Sequence, residues 1–177
     1  MEHFWQNVEG YLDHFDLYDL AVSKFDKGTF VEIGTFAGRS SAYLGTEIHN
    51  SGKKIKLHTV DHFSISVDSS ANSTDFYERV VETLKPLQHC VSVIKGKSVE
   101  VSKQFADDSI DFVFIDASHD YESVKEDIEA WLPKVKVGGI VGGDDYQWEG
   151  VIKAVQELVP DAKAIGVRDS NWFWVKE

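Results

Sequence analysis

Residues 29–40 read TFVEIGTFAGRS and predict a strand that runs into a glycine-spaced turn and then into a helix. Val31 and Ile33 are β-branched and favour the strand. Gly34 and Gly38 let the backbone approach a ligand closely, because glycine has no Cβ atom. The residues after Gly38 contain no nearby proline and favour a helix whose free N–H groups face the turn. The stretch therefore predicts a ligand site in a strand–turn–helix unit of an α/β protein.

The spacing of the two glycines narrows the class of ligand. The turn has the form E-x-G-x-x-x-G and lacks the G-x-G-x-x-G pattern in which glycines admit a dinucleotide pyrophosphate. Glu32 adds a carboxylate just before the turn. A turn of this kind suits a ligand that bears both a carboxylate and an ammonium group, as the methionine end of S-adenosylmethionine (SAM) does.

Length and composition limit the classes of protein to consider. The 177 residues are enough for one domain with its own core, so we predict a single domain over 1–177 that begins with a helical segment at 1–27. A formal net charge of −12 argues against nucleic acid and anionic membranes as partners. No apolar run approaches the roughly 20 residues that span a bilayer. A single cysteine, Cys90, excludes an internal disulfide and fits a cytoplasmic location. The oligomeric state stays open, with a homo-oligomer as one alternative.

Apolar strands alternate with amphipathic helices along the chain. We predict strands at 29–33, 56–61, 90–96, 110–116, 137–143, 162–167 and 171–175, and helices within 3–26 and at 38–50, 74–85, 98–105, 120–132 and 149–159, with a polar loop at 62–73. This order predicts an α/β fold with a Rossmann-like, doubly wound sheet of seven strands, mostly parallel, and helices on both faces. The last two strands have no helix between them, so one strand near the C-terminus is expected to be antiparallel.

Polar residues follow several of these strands where ligands bind in such sheets, beyond the carboxyl ends. Asp61 follows the second strand and is suited to accept hydrogen bonds from both ribose hydroxyls. Gly96 and Ser98 follow the third strand, and Ser98 could contact an adenine ring. The structural alternatives are a turn residue for Asp61 and a helix N-cap for Ser98.

Three aspartates follow the fourth and fifth strands. Asp116, Asp144 and Asp145 would repel one another at neighbouring strand ends unless a cation neutralised them. Carboxylate oxygens of this kind suit Mg²⁺. The alternative is that Asp144 and Asp145 cap a loop and point to solvent.

His119 lies three residues after Asp116, near the start of the next helix. A neutral imidazole at this position could take a proton from a substrate hydroxyl. The alternative is a surface or helix-capping histidine.

Three segments carry a resemblance to a known family: VEIGTFAGRSS, DFVFIDASHDYESVKEDIEAWLPKVKVGGIVGGDDY and GVIKAV. Together with Asp61 they resemble the class I SAM-dependent O-methyltransferases. The most similar branch is the small metal-dependent one, of the methyltransferase domain 24 type, with its cephalosporin-pathway, macrolide-sugar and catechol-type enzymes. The resemblance covers about residues 28–160 and is strongest over 110–146.

The resemblance implies a role for each matching residue. It implies cofactor-binding roles for Glu32, Gly34, Thr35, Gly38, Ser40, Asp61, Gly96, Ser98 and Asp116, metal-binding roles for Asp116, Asp144 and Asp145, and catalytic roles for His119 and Asp116. The expected function is transfer of a methyl group from SAM to a hydroxyl oxygen of a small molecule, with help from Mg²⁺. Two alternatives are a non-catalytic SAM-binding module and, disfavoured by the missing G-x-G-x-x-G, a nicotinamide-dependent oxidoreductase.

Overall fold

Seven strands and six α-helices alternate along the computed structural model, which describes residues 1–64 and 73–177. The strands are β1 Lys27–Ile33, β2 Lys54–Asp61, β3 Val91–Lys95, β4 Ile110–Ile115, β5 Val135–Gly143, β6 Lys163–Ile165 and β7 Asn171–Val175. The helices are α1 Phe15–Lys24, α2 Arg39–Ser51, α3 Ser73–Leu84, α4 Ser98–Ser102, α5 Tyr121–Trp131 and α6 Glu149–Leu158. Most of the polar loop predicted at 62–73 lies outside the described residues.

The strands form one sheet in the order β3-β2-β1-β4-β5-β7-β6. Strands β1 to β5 pair in parallel, whereas β7 pairs antiparallel with both β5 and β6. The chain leaves β5 through α6, forms the outer strand β6 and returns as β7 into the space between them. The predicted seven-stranded, mostly parallel sheet with one antiparallel strand near the C-terminus is confirmed.

Strand β4 lies in the middle of the sheet and is buried along its whole length. Phe112 and Phe114 belong to the apolar cluster that contains residues of α1, α2 and α3. Val113 and Ile115 belong to the cluster that contains residues of α4, α5 and α6. Because side chains alternate along a strand, each face of β4 supplies one of the two cores. Helices therefore cover both faces of the sheet, as predicted.

The prediction of helices within 3–26 is only partly correct. The segment contains a short 3-10 turn at Trp5–Asn7 and then α1, and the residues between them are not helical. Gly10 interrupts the segment with a φ of +124°, which a helix does not allow. The Arg39 guanidinium instead holds this stretch against the start of α2, because it donates to the Val8 carbonyl at 3.1 Å and lies 4.9 Å from the Trp5 ring centre.

Candidate functional site

A cavity of about 1130 Å³ opens at the carboxyl ends of the parallel strands. Most of the predicted site residues line it: Gly34, Thr35, Ser40, Asp61, Gly96, Ser98, Asp116, His119, Asp144 and Asp145. Glu32 and Gly38 do not. Ligand sites in doubly wound sheets lie at this edge because the loops after the strands converge there.

Glu32 takes a different position from the one expected. Its side chain is buried beneath the glycine turn. The Tyr18 hydroxyl donates to Oε1 of Glu32 at 2.6 Å, and the hydroxyl groups of Thr59, at 2.7 Å, and of Ser41 donate to Oε2. The carboxylate is thus held by hydroxyl groups of the protein and supports the turn from below.

The two glycines of the turn meet different structural demands. Gly34 has a φ of +97°, and a Cβ atom there would lie 1.8 Å from the carbonyl oxygen of Asp116. This glycine therefore allows the end of β1 to touch the end of β4. Gly38 has a φ of +90° and is the N-cap residue of α2, where a Cβ would make only ordinary contacts with Val80 and Leu84 side chains. Gly38 is needed for its backbone conformation alone.

Asp61 orders the two loops beside it. Its Oδ2 atom accepts hydrogen bonds from the backbone N–H groups of Thr35 at 3.1 Å and Phe36 at 2.9 Å, and its Oδ1 atom accepts one from Phe63 at 2.7 Å. Phe36 and Phe63 both adopt a positive φ, at +46° and +52°. The carboxylate therefore stabilises two strained turns. It also lines the cavity, where about one of its four acceptor positions remains for a ligand hydroxyl.

At the other end of the cavity Ser98 contacts two residues of α5. The indole Nε1 of Trp131 donates to Ser98 Oγ at 2.8 Å, and Asp127 lies near the Ser98 side chain. The N-cap of α4 is Lys97, so Ser98 is not the cap residue. Asp127 is only 6% exposed and also lines the cavity. Burial raises the pKa of Asp127 to about 6, although Ser98 opposes the rise.

Asp116, His119 and Asp145 come together at the opposite end. The Nε2 atom of His119 lies 2.8 Å from Asp145 Oδ2, and one ligand atom from each of the three residues lies within 4.8 Å of the others. Burial is the main cause that raises the pKa of Asp116 and of Asp145. The neighbouring Asp144 raises both pKa values further.

Asp144 is engaged separately. Its Oδ1 atom accepts hydrogen bonds from Asn171 at 2.6 Å and from the Asp145 backbone at 2.8 Å, and its Oδ2 atom lies 3.4 Å from Nδ1 of His14. Burial lowers the pKa of His14, but Asp13 and Asp144 outweigh it and the pKa is raised to about 9. Asp144 thus already faces a cationic partner within the protein.

The donor atoms of this end of the cavity fit a divalent cation. The charged forms of the neighbouring Asp116 and Asp145 are disfavoured, because burial and Asp144 raise both pKa values. A hard cation bound by these carboxylates would stabilise their charged forms. The sequence grouped all three aspartates, whereas the structure gathers Asp116 and Asp145 with His119 and turns Asp144 towards His14. His14 was missed because nothing in the sequence pattern before α1 marks it.

The structure also decides between the alternatives for other residues. Helix α5 is capped by Asp120, whose side chain accepts from the Ser123 N–H at 3.1 Å, so His119 does not cap it. The imidazole of His119 is about half exposed, and its centre lies 5.5 Å from the Trp148 ring centre. The aromatic residues Tyr11, Phe36 and Phe76 line the cavity, whereas Phe63, Tyr121, Tyr146 and Trp148 do not.

The family of the chain follows from a comparison with known protein families. The family model described as a methyltransferase domain, of type 24, matches residues 31–146. The chain belongs to this methyltransferase family. The matched residues include both glycines of the turn, the three aspartates and most of the residues that line the cavity. The family does not support the nicotinamide alternative.

Curated relatives agree with the family. The methyltransferase domain is 32% identical over 171 residues to the uncharacterized protein R132 of Acanthamoeba polyphaga mimivirus, with 85% of this chain and 69% of that protein covered. It is 24% identical over 159 residues to caffeoyl-CoA O-methyltransferase 2 of Petunia hybrida, with 86% of this chain and 60% of that protein covered. The domain thus spans about six tenths to seven tenths of these relatives.

Solved structures show the same fold. A putative caffeoyl-CoA O-methyltransferase from Staphylococcus aureus has a TM-score of 0.66 at 18% identity and covers 97% of this chain and 87% of its own. The O-methyltransferase TomG from Streptomyces achromogenes, solved in complex with SAM, has a TM-score of 0.65 at 18% identity, with 91% and 78% covered. Together with the family, these proteins support a SAM-dependent methyltransferase. None of the helices in the described part of the methyltransferase domain is long and apolar enough to cross a membrane.

Proposed function

We propose that the methyltransferase domain transfers the methyl group of SAM to a hydroxyl oxygen of a small molecule, with assistance from a divalent cation such as Mg²⁺. One observation carries the proposal: a single cavity joins the glycine turn at Gly34 to the cluster of Asp116, His119 and Asp145. A donor at the turn and an acceptor at the cluster would share this space.

The donor end is built from the first two strand ends. The methionine part would lie against Gly34, Thr35 and Ser40, where the free N–H groups at the start of α2 favour its carboxylate. Asp61 would bind the ribose, and the adenine would lie beside Gly96 and Ser98. Asp116, which also faces the cavity, would contact the donor from the β4 side. Holding the methyl group in line with the attacking oxygen is the main contribution of such a site, because the sulfonium is already activated.

The acceptor end is built from the fourth and fifth strand ends. Asp116 and Asp145 would hold the cation, with Asp144 beside them, and a bound cation supplies positive charge that lowers the pKa of a substrate hydroxyl. His119 would accept the proton that this hydroxyl loses. The oxygen forms the new bond to carbon as the bond from carbon to sulfur breaks, and S-adenosylhomocysteine leaves.

The first test is binding and turnover of the donor. We expect S-adenosylmethionine and S-adenosylhomocysteine to bind with a Kd in the low micromolar range, about −8 kcal/mol, and to raise the Tm. NAD should do neither. Calorimetry measures binding, and formation of S-adenosylhomocysteine with a panel of diols and phenols measures turnover. Absence of binding by both sulfur compounds would contradict the proposal, whereas binding without turnover across the panel would favour the non-catalytic module.

The second test concerns His119. We expect His119→Ala to lower kcat on the order of 10²–10⁴-fold, the usual effect of losing a general base, without changing the Kd for S-adenosylhomocysteine. Asp120 caps α5, so the variant should keep the wild-type Tm. His62→Ala is the matched control, because His62 is an exposed histidine that also lines the cavity. Near wild-type turnover by His119→Ala would remove His119 from the mechanism.

A further inference from the structure

Asp127 is an acid on the apolar side of α5. Val124, Ile128 and Trp131 lie on this side and belong to the core of that face of the sheet. Val124 lies three residues before Asp127, and Ile128 and Trp131 lie one and four residues after it. This spacing places Asp127 on the buried face of the helix. A carboxyl group is rarely left in such a place without a partner, because burial of an unpaired charge is costly. Its surroundings should therefore reveal what it binds.

Asp127 lies near Ser98 at this end of the cavity, and both residues line it. The indole N–H of Trp131 can only donate, so Ser98 Oγ accepts it. The Ser98 side chain also lowers the pKa of Asp127. Glu126 and Glu129 line the cavity as well, but both are exposed, whereas Asp127 is only 6% exposed. Asp127 is therefore the buried carboxyl that a ligand at this end of the cavity would meet.

At pH 8 this carboxyl is a hydrogen-bond acceptor. Burial raises its pKa to about 6, so it is ionised two pH units above that value. An ionised carboxylate has about four acceptor positions and no donor. Asp127 lines the cavity, so acceptor positions of its carboxylate are available to a ligand there. The ligand group that suits this position is an N–H donor.

We propose that Asp127 accepts a hydrogen bond from the exocyclic amine of the adenine ring and so makes the site selective for a 6-amino purine. The inference rests on the proposed function, which puts the adenine beside Gly96 and Ser98. Val99 and Ala130, which are partly buried neighbours of Ser98 and Trp131, line the same cavity and offer apolar surface to a flat ring. Asp127 is thereby a specificity-determining residue for the methyl donor.

The experiment compares two ligands that differ in the group at C6 of the purine and in whether N1 carries a hydrogen. S-adenosylhomocysteine carries a 6-amino group, and S-inosylhomocysteine carries a 6-keto oxygen that Asp127 would repel. At pH 8 we expect calorimetry to give the wild type a preference for the adenine compound of roughly 10- to 100-fold, the range for a hydrogen bond to a charged group. In Asp127→Asn the amide can accept from the amine or donate to the keto oxygen, so the preference should fall to within about threefold.

Two control variants locate the effect. Glu129→Gln removes an exposed acid from the same helix that also lines the cavity, and it should keep the wild-type preference. Ser98→Ala leaves the Asp127 carboxylate in place and should also keep a clear preference for adenine. Circular dichroism establishes that each variant is folded.

Each outcome separates the inference from the proposed function. If the wild type binds neither compound, the proposed function fails. If the wild type binds both compounds equally, or if Asp127→Asn keeps the full preference, the role of Asp127 is overturned while the proposed function stands. A preference lost in Ser98→Ala but kept in Asp127→Asn would assign the selectivity to Ser98. The comparison within the wild type needs no variant, so the test holds even if Asp127→Asn does not fold.

Discussion

Asp145→Asn is expected to lower kcat on the order of 10²–10³-fold, the effect of removing one preorganised charged group from an active site. Asp145 and Asp116 are the carboxylates that lie together with His119, whereas Asp144 faces His14. Asp145 belongs to the acceptor end, so the Kd for S-adenosylhomocysteine should stay at the wild-type value. Steady-state kinetics with added Mg²⁺ and calorimetry without it measure the two quantities.

Two comparisons make this prediction specific. A chelator should abolish wild-type turnover and have little further effect on Asp145→Asn. Asp161→Asn makes the same chemical change at an exposed position outside the cavity and should leave kcat unchanged. Full wild-type activity in excess chelator would show that these aspartates have a structural role only.

The same variant should stabilise the protein in the presence of chelator. Folding raises the pKa of Asp145 above 3.8, first through burial and then through Asp144, so the ionised carboxylate destabilises the folded state. This cost is absent well below pH 3.8, grows as the pH rises above it, and is complete above the raised pKa. We therefore expect Asp145→Asn to increase the free energy of unfolding at pH 7 and not at pH 3. Equal stability at both pH values would contradict this account.

Gly34→Ala is expected to destabilise the protein by at least about 3 kcal/mol and to abolish donor binding. The new Cβ would lie 1.8 Å from the backbone oxygen of Asp116, and no rotation of a side chain can relieve a contact with backbone. The ends of β1 and β4 would have to separate, which would displace the turn and one acid of the cluster together. Urea denaturation and calorimetry with S-adenosylhomocysteine measure the two effects.

Gly52→Ala is the matched control for Gly34→Ala. Gly52 also has a positive φ, +67°, but a Cβ atom there would have no neighbour within 4 Å. It ends α2 as a left-handed cap, so alanine should cost only about 1 kcal/mol. The difference between the two variants therefore reports the contact with Asp116. Equal destabilisation by both would show that backbone conformation alone accounts for the effect.

The fold was predictable because its central strands are mostly apolar. Strand β4 is buried on both faces, and its sequence IDFVFI is apolar except for Asp111. The same topology places residues that follow parallel strands at one edge. For that reason Asp61, Asp116 and Asp145 were found from sequence and do line one cavity.

The contacts that the sequence did not reveal come from distant segments. The buried Glu32 accepts a hydrogen bond from Tyr18 of α1. Asp144 faces His14, which lies 130 residues earlier in the chain, and not the cluster of Asp116 and Asp145. The spacing of residues near each strand does not predict partners from such distant segments. Asp127 is different, since an acid within the apolar pattern of Val124, Ile128 and Trp131 is visible in the sequence.

The short outer strand β6 has a consequence for the behaviour of the protein at high concentration. It pairs with β7 over only three residues, and Gly166 with a φ of +88° and the turn Val167–Asp169 follow at once. An outer strand of this length exposes few unpaired backbone groups to which another chain could add a strand. Lys163, exposed at its start, adds a charge that opposes such pairing. At this edge of the sheet, we expect little tendency to aggregate by strand addition.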